Sequence, residues 1–262
     1  MLDKIKLYLH YMRVNIAAEV EYRYSFALGI LSTLIENLAG VFLIWVLFTQ
    51  VQTINGWTFA ELLLLGSVAT LSFSGWAVLC GGVHTLERRI RNGAFDKLLV
   101  RPLNSLFQIS ADHLDSDDIG SLLGGFAKLG IAMVLLGIHP SLFDIALFIV
   151  MVVSGIVILL SLVTIAASVA FWTTKSNAMV WMTMRMMAFS EYPLEIFNTG
   201  LVFILTFVLP FGFMSYYPAE VFITKGMYRE YMILGPVMAA VFFAIAYGVW
   251  KLGIRNYAST GS

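Results

Sequence analysis

The sequence predicts an all-α, polytopic membrane protein with six transmembrane helices, and three observations carry that prediction. The 262 residues are 60% hydrophobic and only 12% Asp, Glu, Lys or Arg, whereas soluble domains carry about 25% charged residues. The apolar residues fall in long runs, and about 20 such residues in a helix cross the hydrocarbon core of a bilayer. Lys and Arg gather in alternate connecting segments. Mean hydropathy is +0.85. The formal net charge of +0 gives no reason to expect a nucleic-acid partner. The lone cysteine, Cys80, permits no intrachain disulfide. The histidines (His10, His84, His113 and His139) are scattered, so no metal site is expected.

Residues 1–25 read as an amphipathic interfacial helix. Leu2, Ile5, Leu9, Met12 and Ile16 share one face, with Lys4, Lys6, His10 and Arg13 elsewhere. Such a helix lies in the membrane interface. Its basic residues are spread throughout and no apolar h-region is present, which argues against a signal peptide. Residues 26–83 hold the first two spans, at 26–49 and 59–83. Residues 84–118 form a long charged connection. Residues 119–172 hold spans three and four, at 119–138 and 142–172, joined by the turn His139, Pro140, Ser141. Residues 173–193 are Met-rich and polar enough to lie along the inner interface. Residues 194–255 hold spans five and six, at 194–213 and 231–254. The aromatic segment between them contains Pro218 and dips back into the outer leaflet, where broken backbone is tolerated only against protein. Residues 256–262 form a tail.

An inside N-terminus places Lys4, Lys6, Arg13, Arg23, Arg88, Arg89, Arg91, Lys97, Arg101, Lys175, Arg185, Lys251 and Arg255 on the inside. Only Lys225 and Arg229 then lie outside. The positive-inside rule therefore puts both termini in the cytoplasm. Trp45, Trp57, Trp172, Trp181 and Trp250 fall near the expected interfaces, as an aromatic belt requires.

Residues 84–104 carry the strongest local signal. Thr85 to Asn92 reads as a short basic helix, and Gly93 stands where a C-terminal cap glycine belongs. Phe95, Leu98 and Leu99 then form an apolar ridge that Pro102 stops. Such a helix suits docking into a cleft of a soluble protein. It equally suits a solvated loop whose charges fix topology, and physics alone leaves both readings open.

Glu36 and Lys128 lie within spans, each about 15 Å from the inner end at 1.5 Å per residue. Unpaired charges at that depth cost about 3 kcal/mol each, which predicts an ion pair or a polar cavity. Glu61 and Asp144 read as span-end residues. Asp112, Asp115, Asp117 and Asp118 lack the glycine and closing Glu of a calcium loop. They read as a cap on span three, where acid suits the helix dipole. Met179, Met182, Met184, Met186 and Met187 read as adaptable packing.

The segment resembles the signature of ABC-2 type ABC transporter permeases, through Glu87, Arg88, Gly93, Asp96, Leu98, Leu99 and Pro102. The Glu87-to-Gly93 spacing is similar to that of a small six-span branch, often encoded as two different permeases beside one ATPase. Residues 190–222 resemble the same branch through Tyr192-Pro193, Pro210 and Tyr217-Pro218-Ala219. The resemblance implies a coupling helix at residues 85–99 resting on a nucleotide-binding subunit, with Glu87, Arg88, Arg89, Arg91, Gly93, Phe95, Asp96, Leu98 and Leu99 as contact candidates. It implies an N-terminal elbow helix, and an outside gate containing Pro210, Tyr217 and Pro218. It implies a second permease, identical or related, and a multi-pass place in the inner or plasma membrane among its lipids. The cargo would be amphipathic or hydrophobic and the direction export.

The chain has no GxxxxGK[ST] phosphate loop. ATP and Mg would therefore sit on a separate ATPase, and no cofactor or catalytic residue is expected here. Two other readings stand beside this one. A secondary transporter or channel using Glu36 and Lys128 predicts several intramembrane carboxylates or repeated broken helices. An intramembrane enzyme needs a catalytic pair inside the spans. The histidines lie outside spans or at their ends, and no Asp lies centrally.

Overall fold

A bilayer offers no water to backbone N–H and C=O groups, so the apolar runs satisfy them internally as helices. The computed structural model describes residues 2–223 and 229–258, and every regular element among them is helical. In chain order the α-helices are α1 (Leu2–Glu21), α2 (Arg23–Phe48), α3 (Phe59–Cys80), α4 (Leu86–Arg91), α5 (Ala94–Leu99), α6 (Ser105–Ala111), α7 (Ser116–Leu136), α8 (Leu142–Ser168), α9 (Ala170–Thr173), α10 (Asn177–Met186), α11 (Thr199–Phe203), α12 (Tyr216–Ile223) and α13 (Arg229–Asn256). Lys225 and Gly226 of the expected outside loop, and the end of the tail, lie outside the described residues.

Five helices are long and apolar enough to cross a membrane: α2, α3 with its continuation, α7, α8 with α9, and α13. The expected fifth span at 194–213 is not one of them. That stretch is a 3-10 turn (Leu194–Ile196), α11, a π-helical turn (Ile204–Val208) and a second 3-10 turn (Phe211–Met214). Pro193 precedes it and Pro210 interrupts it before the second 3-10 turn, and proline removes a backbone donor wherever it stands.

The bundle has two distinguishable ends. At the turn end, α3 and α8 begin with capping boxes, Thr58 with Glu61 and Ser141 with Asp144. Each box satisfies two backbone N–H groups reciprocally, which is why these span-end acids stand there. At the loop end lie residues 81–115. α3 is the central helix and packs on α7, α8 and α12. Small residues set the approach of α2 to α7. A Cβ on Gly120 would come within 2.0 Å of Thr33 Oγ1, and one on Gly124 within 2.9 Å of Asn37. Small residues at this spacing let membrane helices pack closely.

α1 is held to three neighbours, α3, α6 and α7. Tyr8 Oη donates to the Leu79 carbonyl at 2.7 Å, Asn15 Nδ2 donates to the Ala111 carbonyl at 2.8 Å, and Glu19 accepts from the Ser116 N–H at 3.3 Å. Ile5, Leu9, Ile16 and Val20 remain exposed.

Candidate functional site

At the loop end α3 unwinds into a 3-10 turn, Gly81–Thr85, that leads into α4. The crossing with α6 is tight: a Cβ on Gly82 would sit 1.9 Å from the Ile109 carbonyl oxygen. Asn92 caps α4, and Gly93 follows with φ of +67°, a left-handed conformation that glycine adopts freely. That turn starts α5.

Short helices must bury one face, and α4 and α5 bury residues expected to meet a partner. Glu87 is 6% exposed and accepts from the backbone N–H of Ser176 and of Asn177, each at 2.6 Å. Arg91 stands 3.6 Å from its other oxygen. The Glu87 carboxylate therefore caps the start of α10, where negative charge suits the helix dipole. Ser176, at the cap position itself, makes no side-chain cap bond. Arg89 reaches Asp112 through its carboxylate at 2.7 Å and its carbonyl at 3.0 Å, and bonds Thr85 Oγ1 at 2.9 Å.

Phe95 is 0% exposed among Phe171, Trp250 and Tyr257, with ring centroids 5.2, 6.0 and 5.3 Å away. Tyr257 Oη donates to Asp96 at 2.9 Å, and Leu98 is buried. The expected docking ridge is thus turned into the protein at Phe95 and Leu98, because α9 and the end of α13 offer it an apolar seat. Arg88, Arg91 and Leu99 stay exposed, joined by Asn92, Lys97, Val100 (83%) and Arg101.

Residues 177–191 run from the loop end along α8 and α3. Ser190 offers its carbonyl to Ser215 Oγ, and Ser72, near the middle of α3, donates to the Met214 carbonyl at 2.8 Å. The chain therefore reaches the mid-depth of α3 at Met214. It then turns back through α12 toward the turn end, where Phe222 meets Phe148 with centroids 5.5 Å apart and Tyr216 meets Trp57 at 6.0 Å. Pro210, Tyr217 and Pro218 are all buried in this turn-back. Tyr217 Oη shares a 3.0 Å hydrogen bond with Thr206, and Tyr216 Oη donates to Glu195.

Glu36 and Lys128 do not pair among the described residues. Asn37 faces Gly124 of α7, so Glu36 is turned about 100° away around the helix and is exposed. Lys128 donates to Thr70 Oγ1 on α3 at 2.5 Å, and the acid whose charge acts on it is Glu191. Reading the sequence alone missed Glu191 because it places that residue in an interfacial segment. It missed the Glu87 cap because caps are sought beside a helix, whereas this one comes from 89 residues away.

The acidic cluster divides. Asp112 holds Arg89, while Asp117 and Asp118 stand in the first turn of α7. Asp115 accepts from His113 Nε2 at 3.2 Å, and that hydrogen bond holds its carboxyl below the usual carboxylate range. Among the described residues no His, Cys, Asp and Glu group has the makings of a metal site.

The fold is that of a helical, multi-pass membrane protein with a structured, charged connection at one end and a broken stretch tied to it. The chain matches the ABC-2 family transporter protein model over residues 34–261 and belongs to that family. It is therefore a permease component of an ABC transporter, a class that generally lacks its own ATPase site and works with an ABC ATPase subunit. No curated protein and no solved structure matches it.

Proposed function

We propose that this permease is the membrane half of an ATP-driven exporter, and that the loop end receives the ATPase. The observation that carries the reading is the Glu87 cap. It joins a segment with an exposed, basic outer face to the first turn of a broken crossing. Arg88, Arg91 and Leu99, with Lys97 and Val100 beside them, form the docking surface. Glu87 passes movement to α10, while Phe95 and Asp96 pass it to α9 and α13.

In this reading the loop end is cytoplasmic, with both termini on that side, as the Lys and Arg placement favours. α1 is the interfacial elbow, its exposed Ile5, Leu9 and Ile16 meeting lipid. The sixth crossing is assembled from residues 177–195. The turn-back through Pro210, Tyr217 and Pro218 is a re-entrant gate near the outer surface. ATP and Mg belong to the separate ATPase. A second permease, identical or related, covers α2, whose apolar window is only 6% buried within this chain. The cargo is amphipathic or hydrophobic, and the home is the inner or plasma membrane.

The test is purification of the tagged chain from native membranes. A stoichiometric ATPase subunit that Arg91→Glu with Lys97→Glu releases, in a chain that still folds, supports the reading. Transport driven by an ion gradient, with no ATPase retained, overturns it.

A further inference from the structure

α7 and α8 follow one another through a tight turn, yet each packs along α3 and hardly against the other. The gap between them is a crevice of about 520 Å³ with α3 as its floor. Leu122, Phe126, Leu129 and Met133 form the α7 wall, and the α8 wall runs from Ile145 to Ile156. Each wall spans eleven residues, about 16 Å of helix, or one leaflet of a hydrocarbon core about 30 Å thick. Both walls are set toward the turn end. Met133 stands three residues from the end of α7, and Ile145 three from the start of α8. Pro140 and Asp144 mark the mouth there, where Ser141 already holds the Asp144 carboxylate. Phe126 and Ile149, on the two walls, are each 56% exposed, so no segment among the described residues covers them.

Below the mouth the lining has no hydroxyl, amide or charged side chain. A held water needs two to four polar partners, so the occupant is apolar. A helix 16 Å long and about 10 Å across fills about 1,250 Å³, more than twice the crevice, so a span of another chain does not fit. The position on α7 agrees. Gly120 and Gly124 face α2, and at 100° per residue Leu122, Phe126, Leu129 and Met133 lie on the opposite side of the helix. The second permease proposed to cover α2 therefore lies across α7 from the crevice, as does any path between the two permeases. We infer that the crevice seats one acyl tail of a bilayer lipid from the turn-end leaflet, lying between α7 and α8 on the α3 floor. The site reads the tail and not the headgroup.

Native mass spectrometry of the full chain released from detergent micelles tests this with dioleoyl phosphatidylcholine, dioleoyl phosphatidylglycerol and dihexanoyl phosphatidylcholine. The expected result is one tightly held lipid per chain for both dioleoyl forms, with affinities within about twofold of each other, and binding of the dihexanoyl form weaker by about tenfold or more. Ile149→Trp fills the crevice and should weaken dioleoyl binding about tenfold, and Val153→Trp on the same wall should do likewise. Both positions are about half exposed, so these variants keep the fold. Val150→Trp, at a similarly exposed position of α8 outside the crevice, should bind as wild type does. Unchanged binding in both filling variants overturns the inference, as does binding that follows the headgroup instead of the tail length. A dimer of chains that Ile149→Trp breaks assigns the crevice to a second copy, and loss of the held lipid when ATP is added to the purified complex assigns it to cargo. Either result overturns the inference. The titration needs no ATPase and no second permease, so its failure leaves the coupling reading standing.

Discussion

α8 and the stretch from 177 to 223 traverse neighbouring ground and solve the backbone problem differently. α8 runs unbroken, with a mean hydropathy of 3.0 over its most apolar window. Its serines bond within the helix: Ser154 to Val150, Ser161 to Val157 and Ser168 to Thr164. The stretch from 177 to 223 breaks repeatedly and is held by bonds from other elements and by bonds across its own turns. Glu87 caps its start, Ser72 holds Met214, Ser215 holds Ser190, and Tyr217 meets Thr206. A continuous helix is self-sufficient in lipid, whereas a broken one depends on the elements that complete it. In the coupling reading proposed above, that dependence is what makes the broken stretch responsive to movement at the loop end.

Changes at the contacts that hold the broken stretch, Gly155 on the facing side of α8 included, should therefore cost more than changes to the hydrogen bonds α8 makes within itself. The largest effect belongs to Glu87→Ala, which strips two charged hydrogen bonds from α10. It should cost about 3 kcal/mol and uncouple ATP hydrolysis from transport, with Glu87→Gln recovering part of both. Thermal unfolding and transport in reconstituted vesicles check it. If Glu87→Ala leaves both unchanged, the dependence of the broken stretch on α4 is gone.

Gly155→Val comes next. Any Cβ there meets Ser72 Oγ at 2.6 Å and Met214 Cα at 3.2 Å. Overpacking of this kind costs about 1–3 kcal/mol, and transport should fall more than stability because the Met214 turn is displaced. Tyr217→Phe removes one hydrogen bond and should lower stability by about 1 kcal/mol, read by the same unfolding assay. The smallest effect should be Ser161→Ala in α8, within about 0.5 kcal/mol of wild type. An effect of Ser161→Ala matching that of Glu87→Ala would break the comparison between the two stretches.

Much of this was legible in the sequence. The apolar runs for α2, α3, α7, α8 and α13 end within a few residues of the observed helices, because length and hydropathy act locally. Gly93 and the acids at Glu61 and Asp144 were legible for the same reason. The broken stretch was legible only as prolines and aromatics in a run that still looked like a span.

The sequence by itself determined that this is a multi-pass helical membrane protein with a charged connection at residues 84–104, and its motifs pointed to the ABC-2 family. Those properties follow from composition, from run length and from short motifs. Only the tertiary structure decided that Glu87 faces α10, that Phe95 is sealed among three rings, and that Lys128 looks to Thr70 and Glu191 instead of Glu36. A helix repeats every 3.6 residues, so the facing of each side chain depends on which neighbours surround it, and those neighbours lie up to 162 residues away in the chain (Phe95 to Tyr257).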